Sequence, residues 1–340
     1  MRKKITYLFS LLFVVIYLDS CKSEQKQEAT VPVPVIFDTD IGPDYDDVGA
    51  MALLHAMADS GECKILATIA SNKHERIAAV IDVLNTYFNR PAIPIGVVRR
   101  NAVDMNAPQK WDSLIVANYP HAIKTNEQAD DALELYRKIL VAQPDTSVTI
   151  VTVGFLTNMA NLLQSAPDKF SSLNGRELVA KKVKHLVCMA GRFDAEKGKF
   201  KEFNVVKDSV ASKIVFDNWP TSITFSGFEI GLNIHTGLPI INSNITNSPV
   251  KDAFARSIPL DPNDKDGRMS WDETAVLVAV RGYEKYFNVV RGKIICNTDG
   301  SNEWDAAGTR DFYLTPKMPV PAIEKVLNDL IMHQPVQTKK

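Results

Sequence analysis

The chain has 340 residues, 45% hydrophobic and 23% charged, so it is long enough to bury one large core or two ordinary ones. Its 39 Lys and Arg residues stand against 40 Asp and Glu residues, which leaves no basic surplus to hold a nucleic acid polymer. These values exclude a disordered chain, and we expect no nucleic acid polymer as a partner.

The N-terminal segment has the pattern of an export signal. Met1-Arg2-Lys3-Lys4 is a positively charged start, and residues 5–18 form an apolar run that is short for a transmembrane span. The run ends at Leu18-Asp19-Ser20-Cys21, which is similar to a bacterial lipobox, although an Asp at its second position is atypical. An ordinary cleaved signal peptide is the alternative interpretation.

This pattern predicts three segments. Residues 1–21 are a lipoprotein-type signal peptide that ends at the lipidated Cys21, residues 22–32 are a polar, flexible tether, and residues 33–333 are a folded domain. We therefore expect an exported protein that a lipid anchor holds on the membrane of a bacterial envelope, in the periplasm or on the outer surface.

The folded domain begins with an apolar strand that runs into five carboxylates within the ten residues from Asp38 to Asp47. So many like charges share one turn only if a cation offsets their repulsion or some of them stay protonated. A helical pattern follows from Val48, which places the acids at the carboxyl end of a strand, where open α/β sheets bind ligands. Oxygen ligands in this number favour Ca²⁺ or Mg²⁺ over zinc. A solvated acidic loop is the alternative.

Further along the chain, short apolar runs alternate with amphipathic segments. The runs that predict strands are Val33–Phe37, Ile65–Ala70, Ile93–Val97, Val148–Val153, Val183–Met189 and Ser222–Phe225. The segments that predict helices are Ile77–Phe88, Ala132–Val141, Thr157–Leu163, Val210–Phe216 and a helix opened by Trp271-Asp272-Glu273. This alternation indicates an α/β fold with a mostly parallel sheet and helices on both faces. Residues 240–269 are expected to form a long irregular excursion near the site.

The remaining cysteines do not have the number or spacing typical of a disulfide framework or a zinc site. Without Cys21 they are Cys63, Cys188 and Cys296, an odd number without CxxC spacing. We therefore predict neither a disulfide framework nor a zinc site. Cys188 and Cys296 lie in apolar runs and are expected to be buried, inert thiols.

Together these pieces resemble the inosine-uridine preferring nucleoside hydrolase family from about Val35 to Asp305. The motifs that carry the resemblance are Asp38-Thr39-Asp40-Ile41-Gly42 with Asp46-Asp47, Val153-Gly154-Phe155-Leu156-Thr157-Asn158, Glu202-Phe203-Asn204 and Trp271-Asp272. The resemblance implies a single Rossmann-like, nucleoside hydrolase-like domain that binds one Ca²⁺. It also implies hydrolysis of the N-glycosidic bond of a ribonucleoside or related riboside by a water that the metal activates.

The resemblance also implies a role for each matching residue. Asp40 is similar to the general base and takes part in the metal site, Asp47 and Asp272 are similar to the side-chain calcium ligands, and Val153 matches the main-chain ligand. Asp38 matches a further position around the ion.

The remaining matches concern the substrate. Asp46 would hold a ribose hydroxyl, Asn72 matches a further position of the site, and Glu202 and Asn204 would hold the sugar from the opposite side. The residue types suit the reaction, because carboxylates stabilise an oxocarbenium-like transition state and no second carboxylate is placed as a covalent nucleophile. We therefore expect direct attack by water with inversion.

The sequence departs from the family pattern in two places, of which the second concerns the leaving group. Pro43-Asp44-Tyr45 lengthens the first motif, as in one branch of the family, and Trp271 stands where members that cleave purine nucleosides commonly have a His. An indole has no proton for acid catalysis but it can stack on a base. Other candidates for a leaving-group acid are His121, His235 and Glu229. The cations at 192, 197, 199 and 201 indicate either a solvated loop or a preference for a polar leaving group.

Two other functions stay open at this point. Phe37-Asp38-Thr39-Asp40 imitates the nucleophile turn of haloacid dehalogenase-type phosphatases, although Ile41-Gly42 departs from that pattern. A non-catalytic, membrane-tethered protein that binds a ribosyl ligand is the other alternative, because Trp271 replaces the acid. Whether the protein is a hydrolase or a binding protein for a ribosyl ligand, we expect its partner to be a small molecule. The sequence leaves a homo-oligomer open.

Overall fold

A computed structural model describes residues 31–194 and 200–336. The strands in these residues are β1 Val33–Thr39, β2 Cys63–Ala70, β3 Ile95–Val97, β4 Asp130–Asp131, β5 Val148–Thr152, β6 Val183–Met189, β7 Ser222–Ser226, β8 His235–Thr236, β9 Arg268–Met269, β10 Phe287–Cys296, β11 Asn302–Asp305 and β12 Asp311–Pro316. The segment around Cys21 lies outside the described residues, as do Lys197 and Lys199.

The helices connect and cover these strands. They are α1 Asp46–Asp59, α2 Ile77–Tyr87, α3 Trp111–Asn118, α4 Ala132–Val141, α5 Thr157–Gln164, α6 Gly175–Lys182, α7 Phe203–Lys207, α8 Ser209–Asn218, α9 Phe228–Gly231, α10 Leu238–Ile241, α11 Pro249–Ser257, α12 Trp271–Arg281 and α13 Val320–Ile331. Short 3₁₀ turns lie at Asn126–Gln128, Ile258–Leu260 and Pro262–Asp264. No helix in the described part of the chain combines the length and apolarity that crossing a membrane requires.

The central sheet has the strand order β11-β10-β12-β7-β6-β5-β1-β2-β3-β4. Its pairs from β7 through β1 to β4 are parallel, β12 is parallel to β7, and β10 is antiparallel to both β11 and β12. The prediction of a mostly parallel α/β sheet is therefore confirmed. β1 lies inside the sheet between β2 and β5. The loop that follows it therefore begins near the middle of the row formed by the carboxyl ends of the parallel strands.

Helices cover both faces of this sheet, as predicted. Successive residues of a strand point to opposite faces, and along β1 Phe37 belongs to one hydrophobic core while Ile36 belongs to the other. The first core includes buried residues of α1, α12 and α13, and the second includes buried residues of α4, α5 and α8. Cys63, Cys188 and Cys296 are free and buried between these layers, in accord with inert thiols.

The excursion predicted over residues 240–269 is more regular than expected. It contains α11, which begins at Pro249 after Ser248, whose hydroxyl accepts a hydrogen bond from the backbone N–H of Lys251 at 3.2 Å. A capping Ser followed by Pro at the first helical position is a sound helix start, so the purely irregular interpretation was wrong. The excursion ends in β9, which pairs antiparallel with β8 apart from the main sheet.

Candidate active site

A cavity opens where the acidic loop after β1 meets the ends of β5 and β6 and the start of α12. Its volume is about 420 Å³. The residues that line it are Asp40, Pro43, Asp44, Asp46, Asp47, Met105, Asn106, Pro108, Val153, Met189, Glu202, Phe203, Asn204, Phe228, Asp261, Asn263, Arg268, Met269, Trp271 and Asp272. The cavity thus brings together all the predicted catalytic, metal and substrate residues except Asn72 and Asp38, which do not line it.

Three carboxylates in this cavity form a candidate cation site. Asp46 and Asp47 begin α1, Asp272 lies in the first turn of α12, and one oxygen from each lies within 4.8 Å of the others. All three side chains are buried. Burial and then the charge of Asp46 raise the pKa of Asp47 to about 8. Three buried carboxyls this close are costly to ionise together without a compensating cation.

Asp47 itself indicates that such a cation fits. One of its oxygens accepts a short hydrogen bond from the hydroxyl of Thr39, whereas the buried Oδ2 has no hydrogen-bond partner in the described protein. A buried carboxylate oxygen left in this state needs a proton or a positive ligand. The donor set contains only oxygen, which suits a hard divalent cation.

Asp40, the predicted general base, lies beside this cluster and is 5% exposed. Burial, followed by the charges of Asp47 and Asp44, raises its pKa well above the ordinary value for an aspartate. Its backbone carbonyl accepts a hydrogen bond from Asn72 Nδ2 at 3.0 Å.

Asn72 lies behind Asp40 rather than among the cavity-lining residues. Its Nδ2 also donates to the carbonyl of Met105 at 2.8 Å, and its Oδ1 accepts from the backbone N–H groups of Met105 and His74, each at 3.1 Å. The side chain is therefore used to hold the loop that carries Asp40. Direct contact between Asn72 and a substrate stays a prediction that this placement does not favour.

Glu202 and Asn204 line the cavity from the start of α7. Glu202 caps α7, since its carboxylate accepts from the backbone N–H of Asn204 at 2.9 Å and of Val205 at 3.1 Å. Burial nevertheless raises the pKa of Glu202 to about 7. Asn204 Nδ2 donates to the carbonyl of Val153 at 3.0 Å, so the predicted main-chain ligand and the predicted sugar contact touch each other.

Arg268 is a charged residue of the cavity wall that the sequence analysis did not single out. It lies on β9, is 4% exposed and lines the cavity. Its Nε and Nη2 donate to Asp46 Oδ1 at 3.0 and 2.8 Å, and Nη2 also lies 2.8 Å from Asp44 Oδ1. A lone Arg three residues before Trp271 in a polar segment carries no sequence pattern that marks it. Asp44, whose role the sequence left open, is thereby a partner of Arg268.

Aromatic side chains form another part of the cavity wall. Trp271 Nε1 donates to the carbonyl of Phe228 at 2.8 Å, and the two rings lie 5.2 Å apart between centroids. Phe203 lines the same cavity and is 37% exposed. This wall offers flat apolar surface to a planar leaving group.

The predicted candidates for a leaving-group acid are not among the described residues that line the cavity. His121 Nδ1 is 2.8 Å from the carbonyl of Tyr119, His235 lies beside Glu324, and Glu229 accepts from the backbone N–H of Phe193 at 3.2 Å. The described residues that line the cavity include no His, Lys, Tyr or Cys.

Two of the four loop cations fall in the described residues, and both are paired. Arg192 pairs with Asp194 at 2.5 Å and Lys201 with Asp299 at 3.0 Å. Arg192 also lies over the rings of Phe200 and Phe228, at 4.5 and 5.2 Å from their centroids. These pairs favour the solvated-loop interpretation over a dedicated anion site.

Asp38 is in the wrong place for a phosphatase nucleophile. It is fully buried and does not line the cavity. Its Oδ2 accepts from the hydroxyl of Tyr136 at 2.7 Å and from Asn158 Nδ2 at 3.0 Å, and burial raises its pKa to about 7. A nucleophile must reach the substrate, so this arrangement argues against the phosphatase alternative.

The fold and the site together define an α/β protein with a carboxylate-rich pocket that could hold a metal ion at the carboxyl ends of its parallel strands. The family model for the inosine-uridine preferring nucleoside hydrolase matches residues 35–313. The chain therefore belongs to this family, which confirms both the resemblance and the predicted enzyme class, an N-glycosyl hydrolase.

Individual relatives are distant in sequence but similar in fold. An inosine-uridine preferring nucleoside hydrolase from Leishmania major is 23% identical over 210 residues, which cover 59% of this chain and 62% of that protein. A plant nucleoside hydrolase superposes with a TM-score of 0.67 at 18% identity, over 88% of this chain and 99% of that one. A purine-preferring ribonucleoside hydrolase from Gardnerella vaginalis superposes with a TM-score of 0.68 at 15% identity, over 88% and 98%.

Proposed function

We propose that this protein hydrolyses the N-glycosidic bond of a ribonucleoside or related riboside, with Ca²⁺ as its cofactor. The observation that carries the proposal is the meeting of Asp40 with the cluster of Asp46, Asp47 and Asp272 in one cavity. Its volume, about 420 Å³, lies in the usual range for small-molecule sites. The family's name and the purine-preferring relative support a nucleoside as the substrate.

Asp47, Asp272 and the carbonyl of Val153 are the groups that would hold the cation, with Asp40 beside them. Calcium is the proposed ion because the donors are all oxygen atoms and several are carboxylates. When bound, the ion would orient the attacking water and lower the pKa of that water.

The protein's own side chains perform the remaining steps. Asp40 accepts the proton of the water as its oxygen bonds to C1′ of the sugar. Asp46 accepts a hydrogen bond from a ribose hydroxyl, and Glu202 and Asn204 contact the sugar from the α7 side of the cavity. Positive charge that develops on the sugar is stabilised by these carboxylates, and direct attack gives inversion at C1′.

The departing base leaves with the electron pair of the C1′–N bond. Trp271 and Phe228 give it a surface to stack on, but an indole does not supply a proton. This arrangement suits planar bases and explains the position of Trp271 in the cavity wall. Because Trp271 supplies no proton to the base, a ribosyl-binding protein without turnover is the specific alternative.

The test compares the wild-type protein with Asp40→Asn and Asp47→Ala on a panel of ribonucleosides, with and without a chelator. We expect turnover that the chelator abolishes and added Ca²⁺ restores, and a loss of about 10² to 10⁴-fold in Asp40→Asn. Asp104→Asn, an exposed carboxylate outside the cavity, is the matched control and should keep wild-type rates.

Thermal unfolding separates catalysis from binding. Saturating Ca²⁺ should stabilise the wild type by about 3 kcal/mol at one hundred times its dissociation constant, and Asp47→Ala should lose this effect. Full activity in the presence of chelator, together with an active Asp40→Asn, would overturn the proposal. A stabilising ligand without turnover anywhere in the panel would favour the binding protein.

We also propose that the protein is exported and anchored by a lipid on Cys21. The sequence at residues 1–21 supports this proposal, since it joins a basic start, an apolar run and a lipobox-like end. The polar residues 22–32 would then separate the hydrolase domain from the membrane.

A further inference from the structure

The guanidinium of Arg268 is surrounded by acids in the wall of the cavity. Besides its bonds to Asp46 and Asp44, its Nη1 lies 3.7 Å from Asp264 Oδ2. Burial opposes the charge on Arg268, but the charges of the three carboxylates raise its pKa above the ordinary value for an arginine. The side chain is therefore a permanent cation at a cavity that otherwise collects acids.

Arg268 is held rigidly from several directions. Its Cζ lies 5.0 Å from the ring centroid of Tyr45 and 5.1 Å from that of Trp271. The Tyr45 hydroxyl donates a short hydrogen bond to Asp264, so the acid on the far side of the guanidinium is fixed as well. The backbone of Arg268 is paired with Thr236 in the β8–β9 ladder. A planar group restrained in this way defines the direction of its N–H bonds.

The consequence for Asp46 is an asymmetric carboxylate. Both hydrogen bonds from Arg268 end on Oδ1, whereas Oδ2 accepts only a long 3.4 Å hydrogen bond from the backbone N–H of Asp272. Two charge-assisted hydrogen bonds that converge on one oxygen hold that oxygen in place and favour the rotamer of Asp46 that reaches Arg268. Oδ2 is then the oxygen of Asp46 that remains free to accept a hydrogen bond from a ligand.

We propose that Arg268 is the positioning residue that gives this pocket its preference for a ribosyl over a 2-deoxyribosyl unit. It acts through Asp46, whose Oδ2 it presents to the sugar hydroxyl that a deoxy sugar lacks. A site built to accept such a hydroxyl discriminates strongly, because the carboxylate is left unpaired when the hydroxyl is absent. This inference rests on the proposed function for the identity of the sugar.

The experiment compares Arg268→Lys and Arg268→Met with the wild type. Two readouts are used: kcat/KM for matched ribonucleosides and 2′-deoxyribonucleosides, and calorimetric binding of free ribose and 2-deoxyribose. Arg268→Met should lower the preference for the ribosyl form by about 10 to 100-fold, mainly by reducing kcat/KM for the ribonucleoside. Arg268→Lys keeps the charge but loses the fork, so it should recover part of the preference.

Lys265→Met is the matched control, because Lys265 lies three residues earlier, pairs with Asp266 and is highly exposed. It should leave the preference unchanged. A purely structural role for Arg268 would lower the rates and affinities for both sugars equally, and that result would overturn the inference, as would an unchanged preference. If the wild type hydrolyses no nucleoside, the proposed function fails, and the binding of ribose against 2-deoxyribose still decides the role of Arg268.

Discussion

Buried carboxyls with raised pKa values occur both in and around this site. Glu202 lines the cavity, whereas Asp38 and Glu229 do not, yet burial raises the pKa of each to about 7. Perturbed pKa values are concentrated at functional sites, but they also arise wherever packing removes a carboxyl from water. Geometry therefore decides which of these acids is a candidate for chemistry, and for Glu229 it indicates a role in packing against the loop at Phe193.

The raised pKa of Glu229 predicts the direction in which the free energy of unfolding changes with pH. Its folded pKa of about 7 exceeds the ordinary value of 4.5, so the folded state binds more protons than the unfolded state between these pH values. The contribution of Glu229 to stability is therefore largest at low pH and falls as the pH rises from about 4.5 to about 7. Over this pH range we expect the free energy of unfolding to fall by about 1 to 3 kcal/mol less in Glu229→Gln than in the wild type.

The measurement is urea unfolding at pH 5 and pH 8 for the wild type and Glu229→Gln. Gln keeps one oxygen that can accept from the Phe193 N–H, so the variant retains the local contact. Glu75→Gln changes a glutamate whose side chain is 69% exposed and should follow the wild-type curve. Parallel curves for the wild type and Glu229→Gln would contradict the prediction.

At the residue scale, the sequence pattern predicted the acids of the site but not Arg268, the cation that pairs with Asp46. Asp40, Asp47 and Asp272 lie directly after a strand or at a helix start, so local patterns marked them. Arg268 pairs with Asp46 across 222 positions, and nothing in its own neighbourhood specifies that contact. Long-range ion pairs of this kind depend on tertiary packing, which a local pattern does not contain.

At the scale of elements, the site depends on how closely the loops after β1 and β5 approach each other. A Cβ placed on Gly154 would lie 2.5 Å from the backbone nitrogen of Asp40 and 2.6 Å from its Cβ. The loop after β5 therefore has room for a glycine and for nothing larger. The motif glycine is thus explained by contact with the catalytic loop.

Gly154→Ala should displace Asp40. We expect kcat/KM to fall by about 10²-fold, since an error near 1 Å in a catalytic group has this effect. Stability should fall by about 1 to 3 kcal/mol from overpacking. Steady-state kinetics and thermal unfolding measure the two effects.

Gly61→Ala is the control for this prediction. Gly61 has a φ of +76° with no atom within 4 Å of a built Cβ, so it should lose about 1 to 2 kcal/mol of stability through backbone strain alone and keep its activity. Normal kinetics in Gly154→Ala would show that the two loops separate at little cost.

The sequence predicted the elements that are buried on both sides better than those that face solvent. The strands β1, β2, β5, β6 and β7 are buried along most of their length, and each was predicted to within about two residues. No strand was predicted over residues 287–316, where β10 mixes buried and exposed positions. The helix α11 was missed within a segment rich in Asn, Pro and Asp, although Ser248-Pro249 marks its start.

At the scale of the whole molecule, the proposed lipid on Cys21 would decide where the hydrolase domain acts. Wild-type protein produced in a bacterial host should appear in the membrane fraction and incorporate a labelled fatty acid, whereas Cys21→Ser should do neither. The kinetics of the two forms released from cells should agree, because residues 22–32 would separate the proposed anchor from the domain. Soluble wild-type protein without label would support an ordinary cleaved signal peptide instead.

The ion pair between Asp46 and Arg268 also has a consequence for the order in which parts of the protein fold. The chain from β1 to β7 contains the central parallel strands, but Arg268 and Asp272 come after them and reach Asp46 by closing a loop of more than two hundred residues. Contacts of such high sequence separation form late in folding. A chain interrupted before residue 268 would contain the strands β1 to β7 but would lack Arg268, the cation that pairs with Asp46, so ligand binding would report that folding has reached its end.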